Sequence, residues 1–202
     1  MAFVYLPPKP FKQPDRVLPS PEYHGEVSTA PIHQAVGRAL STWEHAESAW
    51  AKAFQLFCEA RSLAAVRAFG TVESVASKNY ALRYAALEFF ATRETSDAAL
   101  TRALLSVHSK ASEFRNQIAH GMALQPHAYG YFLCPASYAT KQRKTRPAYP
   151  TEQWGLGADY FYRVQEIDFF CAHFADILSA VMSLVMYLNE KYGVIEPGEF
   201  HP

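Results

Sequence analysis

A group of polar residues near the end of one helical segment has the types and spacing of a site that acts on phosphate. The segment covers residues 113–121, EFRNQIAHG, and its candidate residues are Arg115, Asn116 and His120. A histidine can transfer protons near neutral pH, and an arginine can stabilise a phosphate through paired, charge-assisted hydrogen bonds. The amide of Asn116 can hold the imidazole tautomer or a phosphate oxygen. These three residues are therefore our candidate catalytic site.

The same residues also fit the ordinary end of a helix. A histidine in the last turn suits the negative end of the helix dipole, and Gly121 stands where many helices take a left-handed cap. On a helical wheel, Asn116 and His120 stack one turn apart on the side opposite the apolar stripe, and Arg115 lies on its flank. The pattern predicts that Asn116 and His120 face solvent, the next segment or a second subunit.

Apolar residues recur at alternating spacings of three and four in four segments, which predicts four helices. The first has its stripe at 36–57, and the others run over about 72–93, 97–120 and 166–191. Thr71 is the predicted cap of the second helix, and Gly193 the predicted end of the fourth. Stripes with this spacing favour near-antiparallel bundle packing. His108, in the third helix, is expected at the surface.

A different composition separates the third and fourth predicted helices. Residues 129–134 and 159–164 are aromatic and β-branched, which predicts two strands flanking a polar loop. The insertion they form spans about 127–165. Its loop carries our candidate RNA-binding residues, which are Lys141, Arg143, Lys144 and Arg146. The alternative is that these four residues are a solvated loop tip.

Proline dominates the first part of the chain. Residues 1–31 hold seven of the thirteen prolines, which predicts an extended arm that is either free or packed on the body. Residues 32–202 are predicted to form one helical domain. The predicted fold class is mainly all-α: a four-helix up-down bundle with a small β-hairpin insertion between helices 3 and 4 and a Pro-rich N-terminal arm.

Bulk composition limits the classes of function. The 202 residues are 50% hydrophobic with a formal net charge of zero, so any nucleic-acid contact needs a local basic patch. Cys58, Cys134 and Cys171 are far apart without metal-ligand spacing, which argues against zinc and disulfides and fits a reducing cytoplasm. We find no signal peptide, no stretch approaching a membrane span and no cofactor motif. The expected protein is soluble and cytoplasmic, with no membrane, metal or cofactor.

Glu47 is a second unusual residue, because it occupies a core-stripe position in the first helix between Trp43 and Trp50. An unpaired carboxylate is costly to bury, so a buried Glu47 needs a partner. Two interpretations stay open. Glu47 either lies at a frayed, solvated edge, or supports the site by orienting Arg115 toward a phosphate.

These residues resemble a known family. The sequence Arg-Asn-x-x-Ala-His-Gly from Arg115 to Gly121, late in the third helix, resembles the Arg-x4–6-His signature of the HEPN domain superfamily. The pattern Trp43-x-x-Ala46-Glu47 is similar to one found in helix one of some members. The resemblance covers about residues 35–192, and its specific part is the short motif. It implies an all-α, usually dimeric fold and, for many members, metal-independent RNA cleavage in toxin–antitoxin and phage-defence systems.

Carried onto this chain, the resemblance implies that Arg115, Asn116 and His120 cleave RNA through its own 2′-OH. It further implies a homodimer whose second subunit supplies a second His120, and a cognate antitoxin as a possible protein partner. The competing hypothesis is a non-catalytic dimeric interaction module, or a nucleotide- or RNA-binding module. In that hypothesis the same residues form a polar network and end the helix.

Overall fold

A computed structural model describes residues 19–126, 128–135 and 160–195. That part of the chain is mainly helical and contains five α-helices and one two-stranded antiparallel sheet. In chain order the elements are α1 Ala30–Phe57, α2 Ala64–Gly70, α3 Val75–Phe89, α4 Thr95–Ala119, β1 Gly121–Leu124, β2 Phe132–Pro135 and α5 Val164–Tyr192. The described residues divide into two compact units. The first unit comprises 42–112 and 173–195, and the second comprises 19–41, 113–126, 128–135 and 160–172.

The four predicted helices are present as α1, α3, α4 and α5, with changes at their ends. Helix α1 begins at Ala30, so the last two residues assigned to the arm are helical. Helix α3 is shorter than predicted, and its cap is Ser74 rather than Thr71. The Ser74 side chain accepts a hydrogen bond of 3.0 Å from the Ser77 backbone N–H. The Thr71 hydroxyl instead donates to the Ala68 carbonyl at 2.7 Å, at the end of α2.

Helix α2, with the sequence AAVRAFG, was not predicted. Seven residues complete only two turns, which is too short for an apolar stripe to stand out from chance. Phe69 is its buried residue, and its ring packs against Phe54 of α1 with 5.2 Å between centroids. The helix therefore depends on a tertiary contact that local sequence does not reveal.

The sheet pairs different residues from those predicted. Strand β1 pairs with β2 in a register that places Gly121 opposite Pro135 and Leu124 opposite Phe132. The hairpin thus begins before the predicted insertion at 127–165. The predicted strands, 129–134 and 159–164, meet at an isolated bridge between Leu133 and Tyr162. A small hairpin between the third and fourth predicted helices is thus present, but its strand boundaries were predicted wrongly. The first strand was missed because Gly121 was interpreted as a helix cap, whereas it is the first residue of β1.

Part of the predicted N-terminal arm packs within the second unit. Tyr23 is buried, and its hydroxyl donates to the Phe161 carbonyl at 3.0 Å. Its ring stacks on Phe132 with 5.6 Å between centroids. Glu26 and Tyr131 form a bridge with two backbone hydrogen bonds of 2.8 Å. For residues 20–26 the packed alternative therefore holds, while residues 1–18 lie outside the described part.

Helix α5 is long and apolar enough, by length and composition alone, to cross a membrane. By that criterion, the prediction that no segment approaches a membrane span does not hold. Buried core helices have the same composition, so the finding is weak evidence for a membrane position. The fully buried residues of its apolar stripe are Ile167, Phe170, Phe174, Ile177, Val181, Leu184 and Leu188. As predicted, the helix ends at Gly193, whose φ of 62° is left-handed.

Candidate functional site

The three predicted catalytic residues lie together at the end of α4, in the second unit. Asn116 and His120 are exposed, as the helical wheel predicts, and Arg115 is half-buried. The His120 backbone N–H donates to the Asn116 carbonyl at 3.0 Å, so the two residues are one helical turn apart. Arg115 Nη1 lies 3.4 Å from Asn116 Oδ1, which is a long hydrogen bond. A guanidinium, an amide and an imidazole are thus carried by a single helical end.

Two tyrosines hold the turn that carries these residues. The Tyr160 hydroxyl donates to the Gln117 backbone carbonyl at 2.8 Å, and the Tyr162 hydroxyl donates to Gln117 Oε1 at 2.6 Å. The two tyrosine rings stack with 4.6 Å between centroids. The last carbonyls of a helix lack intrahelical partners, so the Tyr160 bond satisfies one of them. Gln117 is therefore an anchor between Asn116 and His120.

Aromatic packing between residues of α4 and α5 supports the same turn. Phe114 stacks on Phe170 of α5 with 4.9 Å between centroids and 15° between planes. Tyr162 meets Phe170 edge-on at 5.1 Å. Sequence reasoning missed the roles of Gln117, Tyr160 and Tyr162. The signal that could have found the tyrosines is their spacing of two, which puts alternate residues of an extended segment on one face.

Gly121 follows the candidate site but is not a left-handed helix cap. Among the described residues the glycines with positive φ are Gly130 and Gly193. A Cβ atom at Gly121 would lie 2.7 Å from Leu133 Cγ and 2.8 Å from Leu133 Cδ1, closer than side chains approach one another. The glycine is therefore needed for the close contact between β1 and β2, and the cap interpretation was wrong.

Glu47 has different partners from the one predicted. It lies in the first unit, buried, with its Oε2 accepting a hydrogen bond of 2.7 Å from Lys78 Nζ of α3. Its Oε1 lies 3.0 Å from His108 Nε2 of α4. Burial excludes the solvated interpretation. Lys78 and His108 take the place that the sequence analysis assigned to Arg115, so Glu47 is part of a core cluster.

His108 is the least expected member of this cluster, because the sequence analysis placed it at the surface. Only 1% of it is exposed, and its ring stacks on Trp43 with 4.6 Å between centroids and meets Trp50 edge-on at 5.5 Å. The pKa of the imidazole is lowered to about 3, mainly by burial and to a smaller extent by the nearby Lys78 ammonium. His108 is therefore neutral at physiological pH, and its contact with Glu47 is that of a neutral ring with a carboxylate.

The remaining predicted site residues lie outside the described part of the chain. They are the loop residues Lys141, Arg143, Lys144 and Arg146. Across residues 19–126, 128–135 and 160–195, no group of three or more His, Cys, Asp or Glu side chains is arranged to hold a metal ion. In the same part of the chain, all three cysteines are free thiols.

No known family model matches the chain, and neither a curated protein nor a solved structure matches it. The resemblance to HEPN domains therefore rests on the Arg115–Gly121 motif and on the helical organisation around it. The conclusions about function have to come from the chemistry of the residues at the end of α4.

Proposed function

We propose that this chain is a HEPN-like, metal-independent endoribonuclease of the toxin or defence type. The observation that supports the proposal most is the group of Arg115, Asn116 and His120 at one helical end, with Asn116 and His120 exposed. The bonds of Tyr160 and Tyr162 to Gln117 anchor that end. An exposed imidazole and amide at a helical end are accessible to a polymeric substrate. A buried pocket would exclude such a substrate.

In the proposed reaction the RNA attacks itself. A general base removes the proton from a 2′-OH, and the oxygen then attacks the adjacent phosphorus. The bond to the 5′-oxygen breaks, and a general acid protonates that leaving group, which leaves a 2′,3′-cyclic phosphate on the other product. His120 serves the proton transfers. Arg115 stabilises the charge that develops on the phosphorane oxygens, and Asn116 binds a phosphate oxygen or orients the imidazole.

The proposal includes a homodimer. The general base and the general acid act on opposite sides of the reacting phosphorus. Two imidazoles can perform these two proton transfers better than one. A two-fold axis beside the end of α4 would place a second His120 across the same cleft. The carboxyl end of a helix also carries partial negative charge, which disfavours a bound phosphate, so a second Arg115 would strengthen binding.

The proposed architecture is a four-helix up-down bundle formed by α1, α3, α4 and α5. Three aromatic contacts within the first unit support it. Trp43 of α1 stacks on His108 of α4 and meets Phe174 of α5 at 5.1 Å, and Phe89 of α3 meets Tyr192 of α5 at 5.6 Å. The same proposal comprises a cytoplasmic location, no membrane partner, no cofactor and a cognate antitoxin protein.

A second candidate is a non-catalytic dimeric module that binds another protein, a nucleotide or RNA. The contact between Arg115 Nη1 and Asn116 Oδ1 favours it, because it links the guanidinium to the amide within one chain. Such a network would be buried at the dimer interface, whereas a nuclease would leave it open to RNA. The two candidates therefore differ in whether the motif is accessible in the dimer and in whether phosphodiester bonds break.

The experiment is cleavage of a mixed, labelled RNA pool in EDTA by the wild-type chain, His120→Ala and His45→Ala. His45 is also an exposed helical histidine and serves as the matched control. We expect cyclic-phosphate ends from the wild type and His45→Ala, and a loss of about 100-fold or more in His120→Ala. No cleavage by a folded dimer across several RNA types would favour the non-catalytic module. Full activity in a forced monomer would refute the shared cleft.

A further inference from the structure

Helix α3 has apolar residues on two opposite faces. Leu82, Ala86 and Phe89 form the inner face and are buried in the first unit. The outer face carries Tyr80, Tyr84 and Leu87, at spacings of four and three, and they are 61%, 67% and 64% exposed. A surface helix with one buried stripe normally has a polar outer face. The outer stripe of α3 therefore has the pattern of a helix that packs on a further element.

A groove lies beside this stripe, between α3 and α4. Its volume is about 650 Å³, within the range of binding sites in proteins. Tyr80, Tyr84 and Leu87 line it from α3, together with Phe90 just past the end of that helix, and Leu105 lines it from α4. The distance along α3 from Tyr80 to the end of the helix is about 14 Å at the helical rise, or between two and three turns. The groove thus has the length of a short helical segment.

The described part of the groove carries positive charge. Among the described residues that line it, Arg83 of α3 and Arg102 of α4 carry charge, and none is an aspartate or glutamate. Within the described part of the chain, neither guanidinium forms an ion pair, and Arg102 Nε donates only to the Ala98 carbonyl of its own helix at 3.3 Å. Tyrosine and arginine are also the side chains that contribute most to protein interfaces.

We propose that this groove binds an acidic amphipathic helix of a partner protein. The apolar face of that helix would pack against the exposed side chains of Tyr80, Tyr84 and Leu87. Carboxylates on its two flanks would pair with Arg83 and Arg102, one on each wall. The inference concerns a surface of the first unit and is independent of the proposed nuclease activity at the end of α4.

Charge complementarity decides between this occupant and a second copy of the chain. In a two-fold dimer through this face, each copy would present the same surface to the other. Arg83 and Arg102 of both copies would then lie in one interface without a carboxylate from the lining. Like charges brought together in this way oppose association. A helix with glutamates beside its apolar stripe satisfies both guanidinium groups instead.

The test measures binding of labelled helical peptides to the full chain by fluorescence anisotropy. One probe carries leucines along one face and glutamates on both flanks, and the second has lysines in place of the glutamates. We expect saturable binding of the acidic probe that is at least about tenfold tighter than binding of the lysine probe. Leu87→Asp should weaken it about tenfold or more, because a charge replaces an apolar contact. Met186→Asp is the matched control, since Met186 of α5 is 61% exposed and Leu87 is 64% exposed.

Reversing the charge of both groove arginines gives the most decisive test. The double variant Arg83→Glu with Arg102→Glu should prefer the lysine probe, which a merely unfolded variant would not do. Equal binding of both probes, absence of saturable binding of the acidic probe, or equal effects of Leu87→Asp and Met186→Asp would overturn the proposal. So would a concentration-dependent dimer that Leu87→Asp abolishes, which would assign the face to a second copy. Displacement of the acidic probe by single-stranded RNA at this face would assign it to nucleic acid.

Discussion

Replacement of His108 tests whether a buried neutral imidazole makes the fold less stable in acid. In the native state its pKa is lowered from 6.5 to about 3, first by burial and then by the Lys78 ammonium. In the unfolded chain the imidazole has its ordinary pKa. Between these two values the unfolded state binds a proton that the native state does not bind, so falling pH favours unfolding. The stability that neutral His108 allows is present above about pH 6.5 and is lost as the pH falls toward 3.

The size of this effect follows from the two pKa values. Each pH unit well inside the interval removes about 1.4 kcal/mol from the free energy of unfolding. Between pH 7 and pH 5, the loss from His108 is about 2 kcal/mol, because the unfolded imidazole becomes almost fully protonated over this range. Solvent screening does not reduce the effect, since only 1% of His108 is exposed.

The assay is urea unfolding at pH 7 and pH 5, followed by tryptophan fluorescence, for the wild type, His108→Gln and His45→Gln. The difference between the two pH values should be about 2 kcal/mol smaller in His108→Gln than in the other two chains. Titration of the carboxylates is common to all three chains and cancels. Equal losses in all three would refute the reasoning. A wild type that gains stability at pH 5 relative to His108→Gln would show that Glu47, 3.0 Å away, holds a charged imidazole instead.

Two further predictions concern the packing around β1 and the core cluster. Gly121→Ala should lower the free energy of unfolding by about 1–3 kcal/mol, because its Cβ would overlap a leucine of β2. Gly37→Ala, inside α1 with no atom within 4 Å of the new Cβ, should raise it by about 0.5–1 kcal/mol. Thermal unfolding of both variants checks this pair, and changes of the same sign would contradict the prediction. Glu47→Ala should cost about 3–5 kcal/mol, because it leaves the Lys78 charge without its carboxylate. Exposed Glu113→Ala should change stability by less than about 0.5 kcal/mol in the same urea assay, and equal values would show that the cluster contributes nothing.

The helices could be predicted from the sequence because their apolar spacing persists over many turns. Trp43, Trp50 and Ile118, all expected in the core from that spacing, are at most 1% exposed. The outward direction of Asn116 and His120 followed from the same periodicity, since a helix fixes the direction of each side chain relative to its stripe. The predicted direction of these residues, which depends on one helix and its phase, was therefore correct.

Predictions that depended on contacts between different helices or strands were less successful. The spacing of Leu104, His108 and Ala111 continues the core stripe of α4, but the sequence analysis placed Val107 on that stripe and His108 at the surface. Its burial depends on the tryptophans of α1 and on Lys78, which comes from α3. The hairpin was misplaced for the same reason. A four-residue strand such as β1 is recognised through its partner, because its own pattern is too short to exclude a helix end.

The electrostatics at the end of α4 determine what the proposed nuclease needs from a second subunit. A helix carboxyl terminus opposes a bound anion by about 0.3–1 kcal/mol, whereas one hydrogen bond to a charged group contributes about 1.5–3 kcal/mol. A single Arg115 therefore overcomes the helix dipole by a small margin, and RNA binding by one copy should be weak. A two-fold dimer brings a second helix end together with a second Arg115, so both contributions double and the net favourable margin doubles with them. The charge balance of the site thus supports the proposed dimer, as does the proposed use of two imidazoles. If Arg115 of the proposed enzyme also lies in the dimer interface, an Arg115 variant should lose dimerisation and phosphate binding together. If it does not, the variant should lose phosphate binding and remain a dimer.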